Sequence, residues 1–143
     1  MDTTDYKILE ALQKDGRISM KDLGQLVALT PPAVSERVRR LEDSGVIEGY
    51  KAVVNPIRLG KLVKAIIHVE MKVQMHKQFL DLAKSENAII ECHHMTGDDC
   101  MTITVVVENT IDLERLLDRI QKVGNTRTSI VLSSPILNKP VLP

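Results

Sequence analysis

The chain has 143 residues, 43% of them hydrophobic and 27% charged, an ordinary globular composition for one domain or two small ones, which excludes a disordered chain. Aromatic residues amount to 2%, namely Tyr6, Tyr50 and Phe79 with no Trp, which argues against a module that stacks single-stranded bases on aromatic rings. Nineteen basic side chains balance nineteen acidic ones, so no global field draws in nucleic acid or an anionic membrane, and any DNA-binding surface must be local.

A first helix is predicted over Thr3–Lys14, with Asp2 as N-cap and Asp5 near the positive end of the helix dipole. Its apolar stripe is Ile8, Leu9, Ala11 and Leu12, and Gly16 stops it. Ser19 caps a second helix, with Asp22 in capping-box position and Met20, Leu23, Leu26 and Val27 as the buried face. Only Ala28–Thr30 separates it from a third helix, capped by Thr30 and ended by Gly45. Pro31 stands in the first turn, where a missing N–H costs nothing. Val34, Val38 and Leu41 lie in one narrow stripe at about 100° per residue, while Pro32, Ser35, Glu36, Arg39, Arg40 and Asp43 face away. Two short helices joined so tightly at the end of a three-helix unit read as a winged-helix-like helix-turn-helix.

Val46–Val54 reads as the exit from this unit and a connecting strand, with Pro56 and Gly60 marking the boundary. The second half alternates at period two. Val63, Ala65, Ile67, Val69, Met71 and Val73 point one way, and Lys64, Ile66, His68, Glu70 and Lys72 the other. A helix over Lys77–Lys84 buries Phe79, Leu80 and Ala83; strands follow over Ala88–Met95 and Cys100–Glu108, joined by a Gly97-Asp98 turn. A helix over Ile111–Val123 and a strand over Thr128–Ser134 complete a βαββαβ order, the ferredoxin-like split-βαβ arrangement. The predicted fold class is therefore α+β. Helices on one face of the sheet leave Lys64, Ile66, His68, Thr104 and Val106 bare on the other, and a partly apolar open face wants a partner. Sheet-on-sheet homodimerisation would also pair two helix-turn-helix units, as a two-fold DNA site requires.

The chain resembles the leucine-responsive / asparagine-synthase-regulator (Lrp/AsnC) family of transcription regulators along nearly its whole length. The resemblance rests on Asp2-x-x-Asp5-x-x-Ile8-Leu9, Asp15-Gly16-Arg17-Ile18-Ser19, Leu23-Gly24, the run Thr30–Glu42 and Gly45-Val46-Ile47. In the second half it continues through Glu91-Cys92, Thr96-Gly97-Asp98 and Thr126–Leu132. It implies a DNA-binding domain over residues 1–49, a connecting strand and hinge over 50–61, and an effector-binding and assembly domain over 62–143. It also implies dimers that build higher oligomers, and an amino-acid effector held near the hairpin Thr96, Gly97, Asp98, Asp99 and Cys100. Cys100 stands where a second Asp is usual in that loop, and His93 where an aromatic is frequent.

On the third helix, Arg39 and Arg40 are placed to reach guanine edges or phosphates and Ser35 to hydrogen-bond a base or a phosphate, with Pro32 on the same face. Glu36 accepts only from a donor such as cytosine N4 and repels phosphates. Arg37 lies nearer the apolar stripe and admits two readings, a phosphate contact or an internal salt bridge. Lys21, at the start of the second helix, touches the DNA backbone or is plain surface. In the hairpin, Asp98 and Asp99 would hold an ammonium while the Gly97 N–H receives a carboxylate; the alternative is turn chemistry alone.

Cys92-His93-His94 with Asp98, Asp99 and Cys100 matches no usual zinc spacing, and alternation sends His93 and His94 to opposite faces. Cys92 is expected in the core, and no metal or other cofactor is predicted. Nucleophile-elbow, HExxH and phosphate-loop motifs are missing, so the chain is not expected to be an enzyme. The competing readings are a sirohaem decarboxylase, which resembles the same two-domain family, and a ligand-blind architectural DNA binder. Asp2 and Asp5 sit where a secretory leader carries positive charge, no stretch approaches the ~18 apolar residues of a membrane span, and two cysteines are too few for a disulfide scaffold. A cytoplasmic protein with double-stranded DNA and a small molecule as partners, and no membrane, is the expectation.

Overall fold

Asp2 and Asp5 start the first helix by capping each other: the Asp5 backbone N–H donates to Asp2 Oδ1 and the Asp2 N–H to Asp5 Oδ2, each at 2.9 Å. In this computed structural model, which describes residues 1–97 and 101–142, that helix (α1) spans Thr3–Lys14 and is followed by α2 (Met20–Val27) and α3 (Pro31–Asp43). Ser19 Oγ accepts from the Asp22 N–H at 3.1 Å and donates to its carboxylate at 2.6 Å. Thr30 caps α3 by position only; its hydroxyl makes no capping bond. Pro31 removes one of the first-turn N–H groups that would otherwise want one.

Ile8, Leu12, Leu23, Val34, Val38 and Leu41 form the core of this first unit, which comprises residues from Met1 to Val53 together with the tail from Ile136. Leu26, expected on the buried face of α2, is 63% exposed. The helix has only two turns, and its inward stripe runs through Met20, Leu23, Gly24 and Val27, leaving Leu26 to one side. After α3 the Val46 and Ile47 N–H groups both close on the Leu41 carbonyl at 3.0 Å, and Ile47 packs on the core. Residues 48–55 then form no strand, contrary to the expected connecting strand. A strand exists only where a neighbour takes its hydrogen bonds, and this segment has none to pair with in the described chain. The tail docks on α1, where Gln13 Nε2 donates to the Val141 carbonyl at 3.1 Å and the Val141 N–H donates to Gln13 Oε1 at 2.8 Å.

The second unit, Val54–Pro135, holds β1 (Val63–Glu70), α4 (His76–Ser85), β2 (Ile89–His94), β3 (Met101–Val107), α5 (Thr110–Ile120) and β4 (Asn125–Ile130). The sheet order is β2-β3-β1-β4, antiparallel throughout, which is the ferredoxin-like order. Ala65, Ile67 and Val69 of β1 and Met101, Ile103, Val105 and Val107 of β3 bury one face under Phe79 of α4 and Leu113, Leu116 and Ile120 of α5.

Several boundaries differ from the sequence reading. β1 ends at Glu70, and Val73 begins a 3-10 turn with 80% exposure. Leu80 is on the outer side of α4 and partly exposed, while Leu82 and Ala83 pack inward. β4 starts about three residues earlier than expected. Gly124 explains this: a Cβ there would lie 2.6 Å from the Glu70 carbonyl oxygen, so only glycine lets the chain meet the end of β1 and pair at once, Asn125 opposite Glu70. No helix among the described residues is long and apolar enough to cross a membrane.

Candidate DNA-binding surface and effector loop

The turn between α2 and α3 is built on Gly24. The N–H groups of Ala28 and Leu29 both return to the Gly24 carbonyl, and Ala28 adopts the left-handed conformation at φ 55°. A Cβ on Gly24 would stand 2.6 Å from the Leu29 carbonyl oxygen, closer than real side chains come. This close approach sends α3 off as a separate helix after three residues. Its stripe of Val34, Val38 and Leu41 is buried against α1 and α2, so Pro32, Ser35, Glu36, Arg39, Arg40 and Asp43 are all exposed. Lys21 is exposed at the start of α2.

The arginines of α3 are not equivalent. Arg37 Nη1 donates to Asp5 Oδ1 at 2.7 Å and to Asp2 Oδ2 at 2.8 Å, so of its two readings the internal salt bridge is the one seen. The Asp5 backbone N–H and then Arg37 hold the Asp2 carboxyl below its ordinary value. Partial burial opposes ionisation of Asp5, but the Asp2 N–H and Arg37 outweigh it, and its pKa falls too. The same contacts, Asp5 foremost, raise the pKa of Arg37. The cap of α1 is thus also the anchor of α3.

Arg39 points into solvent, yet its Nη2 and Nε donate to Glu36 Oε1 and Oε2 at 2.7 and 3.1 Å, and its Nη1 donates to Asp43 Oδ2 at 3.0 Å. Hydrogen bonding to Arg39 lowers the pKa of Glu36, with a smaller contribution from the charge of Arg40. Arg40 makes no hydrogen bond or ion pair among the described residues. Sequence reasoning placed Glu36, Arg39 and Asp43 on one face but not in one cluster. The signal was their i, i+3 and i, i+4 spacing.

In the second unit, the register aligns His93 of β2, Thr102 of β3, His68 of β1 and Arg127 of β4 in one row across the open face. Thr102 Oγ1 lies 3.0 Å from His68 Nδ1. Thr102, Thr104 and Val106 are buried even on this face, because they sit on a central strand between longer side chains. Cys92 faces the helices, opposite Ile103, but it lies on the edge strand β2 and is exposed, so it is not the core residue expected. His94 points to the same side, its ring edge-on to His76 at 5.8 Å. No group of three or more potential metal ligands is assembled among the described residues. Of the predicted effector residues, Thr96 and Gly97 are exposed after β2, and Gly97 has φ +106°, a conformation that side chains disfavour. Asp98, Asp99 and Cys100 lie outside the described residues. A cleft of about 420 Å³ that sequence reasoning missed lies between α5, the end of β3 and the segment Glu86–Ala88 that follows α4. It is lined by paired charges, Lys61 with Glu108, Asp112 with Arg115 and Glu86 with Arg119.

Residues 1–48 match the winged helix-turn-helix DNA-binding family, and residues 64–141 match the Lrp/AsnC ligand binding domain. The chain belongs to the Lrp/AsnC family. This Lrp/AsnC protein is 42% identical over 134 residues to the HTH-type transcriptional regulator YezC of Bacillus subtilis, covering 94% of this chain and 95% of that one. Its structure is similar to that of Bacillus subtilis LrpC, with 30% identity, a TM-score of 0.89, and coverage of 94% and 96% of the two chains. It is also similar to the feast or famine regulatory protein from M. tuberculosis complexed with L-methionine, with 28% identity, a TM-score of 0.90 and coverage of 99% of each chain. Helix-turn-helix and ligand-binding domain together make it a DNA-binding transcription regulator, and YezC and the M. tuberculosis protein are themselves named as regulators.

Proposed function

We propose that this regulator reads operator DNA with the outer face of α3, through Ser35, Arg39 and Arg40, with Pro32 and Glu36 beside them and Lys21 on the flanking backbone. The observation that carries this reading is Arg40: an exposed guanidinium with no ion pair among the described residues, on the helix that follows the tight turn. Arg37 serves instead as the internal anchor of that helix. By function we assign residues 1–49 to DNA binding, 50–61 to the connection and 62–143 to effector binding and assembly, although the tail from Ile136 packs with the first unit, where Val141 bonds to Gln13. The open sheet face, with Ile66 and Val106 beside His68 and Lys64, supports a homodimer or larger assembly through a second sheet. The protein works in the cytoplasm and catalyses no reaction.

Arg40→Ala should weaken binding to a selected operator by about 1–3 kcal/mol if Arg40 contacts a base, and binding by the wild type should fall steeply with salt. Unchanged gel-shift affinity in the double variant Arg39→Ala/Arg40→Ala would refute the assignment.

The effector is an amino acid or a close relative, bound at Thr96, Gly97, Asp98, Asp99 and Cys100. The M. tuberculosis relative in complex with L-methionine supports this choice. A melting-temperature screen of the twenty amino acids should find at least one that stabilises the wild type and not Asp98→Ala. If none shifts the wild type, or if both proteins respond equally, the loop is only a turn.

A further inference from the structure

The recognition helix of a DNA-binding protein ordinarily gains from phosphate attraction. Here α3 carries Arg37, Arg39 and Arg40 against Glu36, Glu42 and Asp43, so its net charge is zero. Arg37 is committed to Asp2 and Asp5, and Glu42 accepts the Tyr50 hydroxyl at 2.9 Å. What remains on the exposed face is Arg40 and a closed group in which Arg39 is gripped by Glu36 on one side and Asp43 on the other. All three guanidinium nitrogens of Arg39 have a carboxylate partner.

We infer that Glu36 and Asp43 form a clamp on Arg39 that sets sequence discrimination: the clamp holds Arg39 away from phosphates until Glu36 meets the exocyclic amine of a cytosine. This rests on the reading of α3 as the DNA-contacting helix. At a non-matching sequence, Arg39 can reach a phosphate only by leaving two carboxylates, which then face the anionic backbone uncompensated. At a matching sequence, the cytosine N4 amine donates to Glu36, relieves that repulsion and releases Arg39 for a guanine or a phosphate. Position supports the assignment. Ser35 and Glu36 lie in the first half of α3, with Arg39 one turn further on, and the N-terminal residues of a recognition helix are those that reach base edges. Asp43, at the other end of the helix, has no such base partner. Its part is to hold Arg39.

The test uses the full-length protein with two duplexes, one of random sequence and one recovered from a randomised pool with the wild type. Glu36→Gln and Asp43→Asn, nearly isosteric and exposed, should each tighten random-sequence binding. The expected gain is about five- to tenfold at 0.1 M salt, because one further phosphate contact scales affinity as roughly the −0.9 power of salt concentration. The log–log salt slope should steepen by about one. A new selection with Glu36→Gln should replace a preferred cytosine by adenine, the base that a glutamine side chain pairs with. Random-sequence affinity unchanged in both variants overturns the clamp, as does recovery of the same site by Glu36→Gln. If Glu36→Gln tightens binding just as much in an Arg39→Ala background, plain repulsion accounts for it and the clamp is again overturned. Arg40→Ala separates the two levels of the argument. If it and both clamp variants leave every affinity unchanged, α3 is not the contacting helix and the underlying reading has failed with the clamp.

Discussion

Helix α3 and strand β3, one in each unit, use their residues in opposite ways. Of the thirteen residues of α3 only Val34, Val38 and Leu41 are buried, whereas all seven residues of β3 are. A helix packs through one stripe and leaves most of its circumference for recognition. A central strand is flanked on both sides, and its short side chains on the open face, Thr102, Thr104 and Val106, vanish between those of β1 and β2 even without a covering layer. The consequence for function is direct. Charged groups can be varied on α3 without touching the core, while β3 carries no charged residue at all.

The sharpest way to break this comparison is at the strand. Ile103→Ala should cost about 2–5 kcal/mol, the range for deleting a fully buried aliphatic side chain. The two tyrosines, Tyr6 and Tyr50, both lie in the first unit and there is no Trp, so tyrosine fluorescence follows that unit alone while far-UV circular dichroism follows both. Urea unfolding should show the loss in dichroism. A tyrosine transition shifted by the same amount would show that the two units unfold as one. Gly24→Ala, in the turn that frees α3, should cost about 1–3 kcal/mol through overpacking against the Leu29 carbonyl, and this time the tyrosine signal should move. It should also abolish operator binding, whereas Arg40→Ala should weaken binding and leave the melting curve in place.

The smallest effect sharpens the comparison at the anchor of α3. The Asp2 and Asp5 carboxyls are both held below the ordinary aspartate value in the folded state. The folded first unit therefore binds fewer protons than the unfolded chain near that pH, and stability rises with pH there. The contribution is complete above about pH 4–5 and is lost as pH falls through the lowered values. Tyrosine-monitored unfolding between pH 5 and pH 2.5 should show this loss, and Asp5→Asn should flatten it. An identical pH dependence in the variant would remove Asp5 from the anchor.

Much of this was legible in the chain. The caps at Asp2 and Ser19, Pro31 at the start of α3, the stripe Val34/Val38/Leu41 and the alternation through β1 follow from local rules: a cap needs a short polar side chain, and burial needs the matching period. These determined the helix-turn-helix, the βαββαβ order and the exposed face of α3. Local rules do not carry partner choice. Leu26 and Leu80 are apolar and helical yet turn outward, because the width of a buried stripe depends on what packs against it. The connecting segment has strand-like residues but no neighbouring strand, and β4 starts early because Gly124 meets Glu70 from far along the chain. The charges show the same division. Spacing within α3 brings Glu36, Arg39 and Asp43 within reach of one another, since side chains three and four apart share a helix face. Only the packing of α3 against the start of α1 gives Arg37 to Asp2 and Asp5, more than thirty residues away, because an ion pair between distant segments is a property of the distance between them in space and not along the chain.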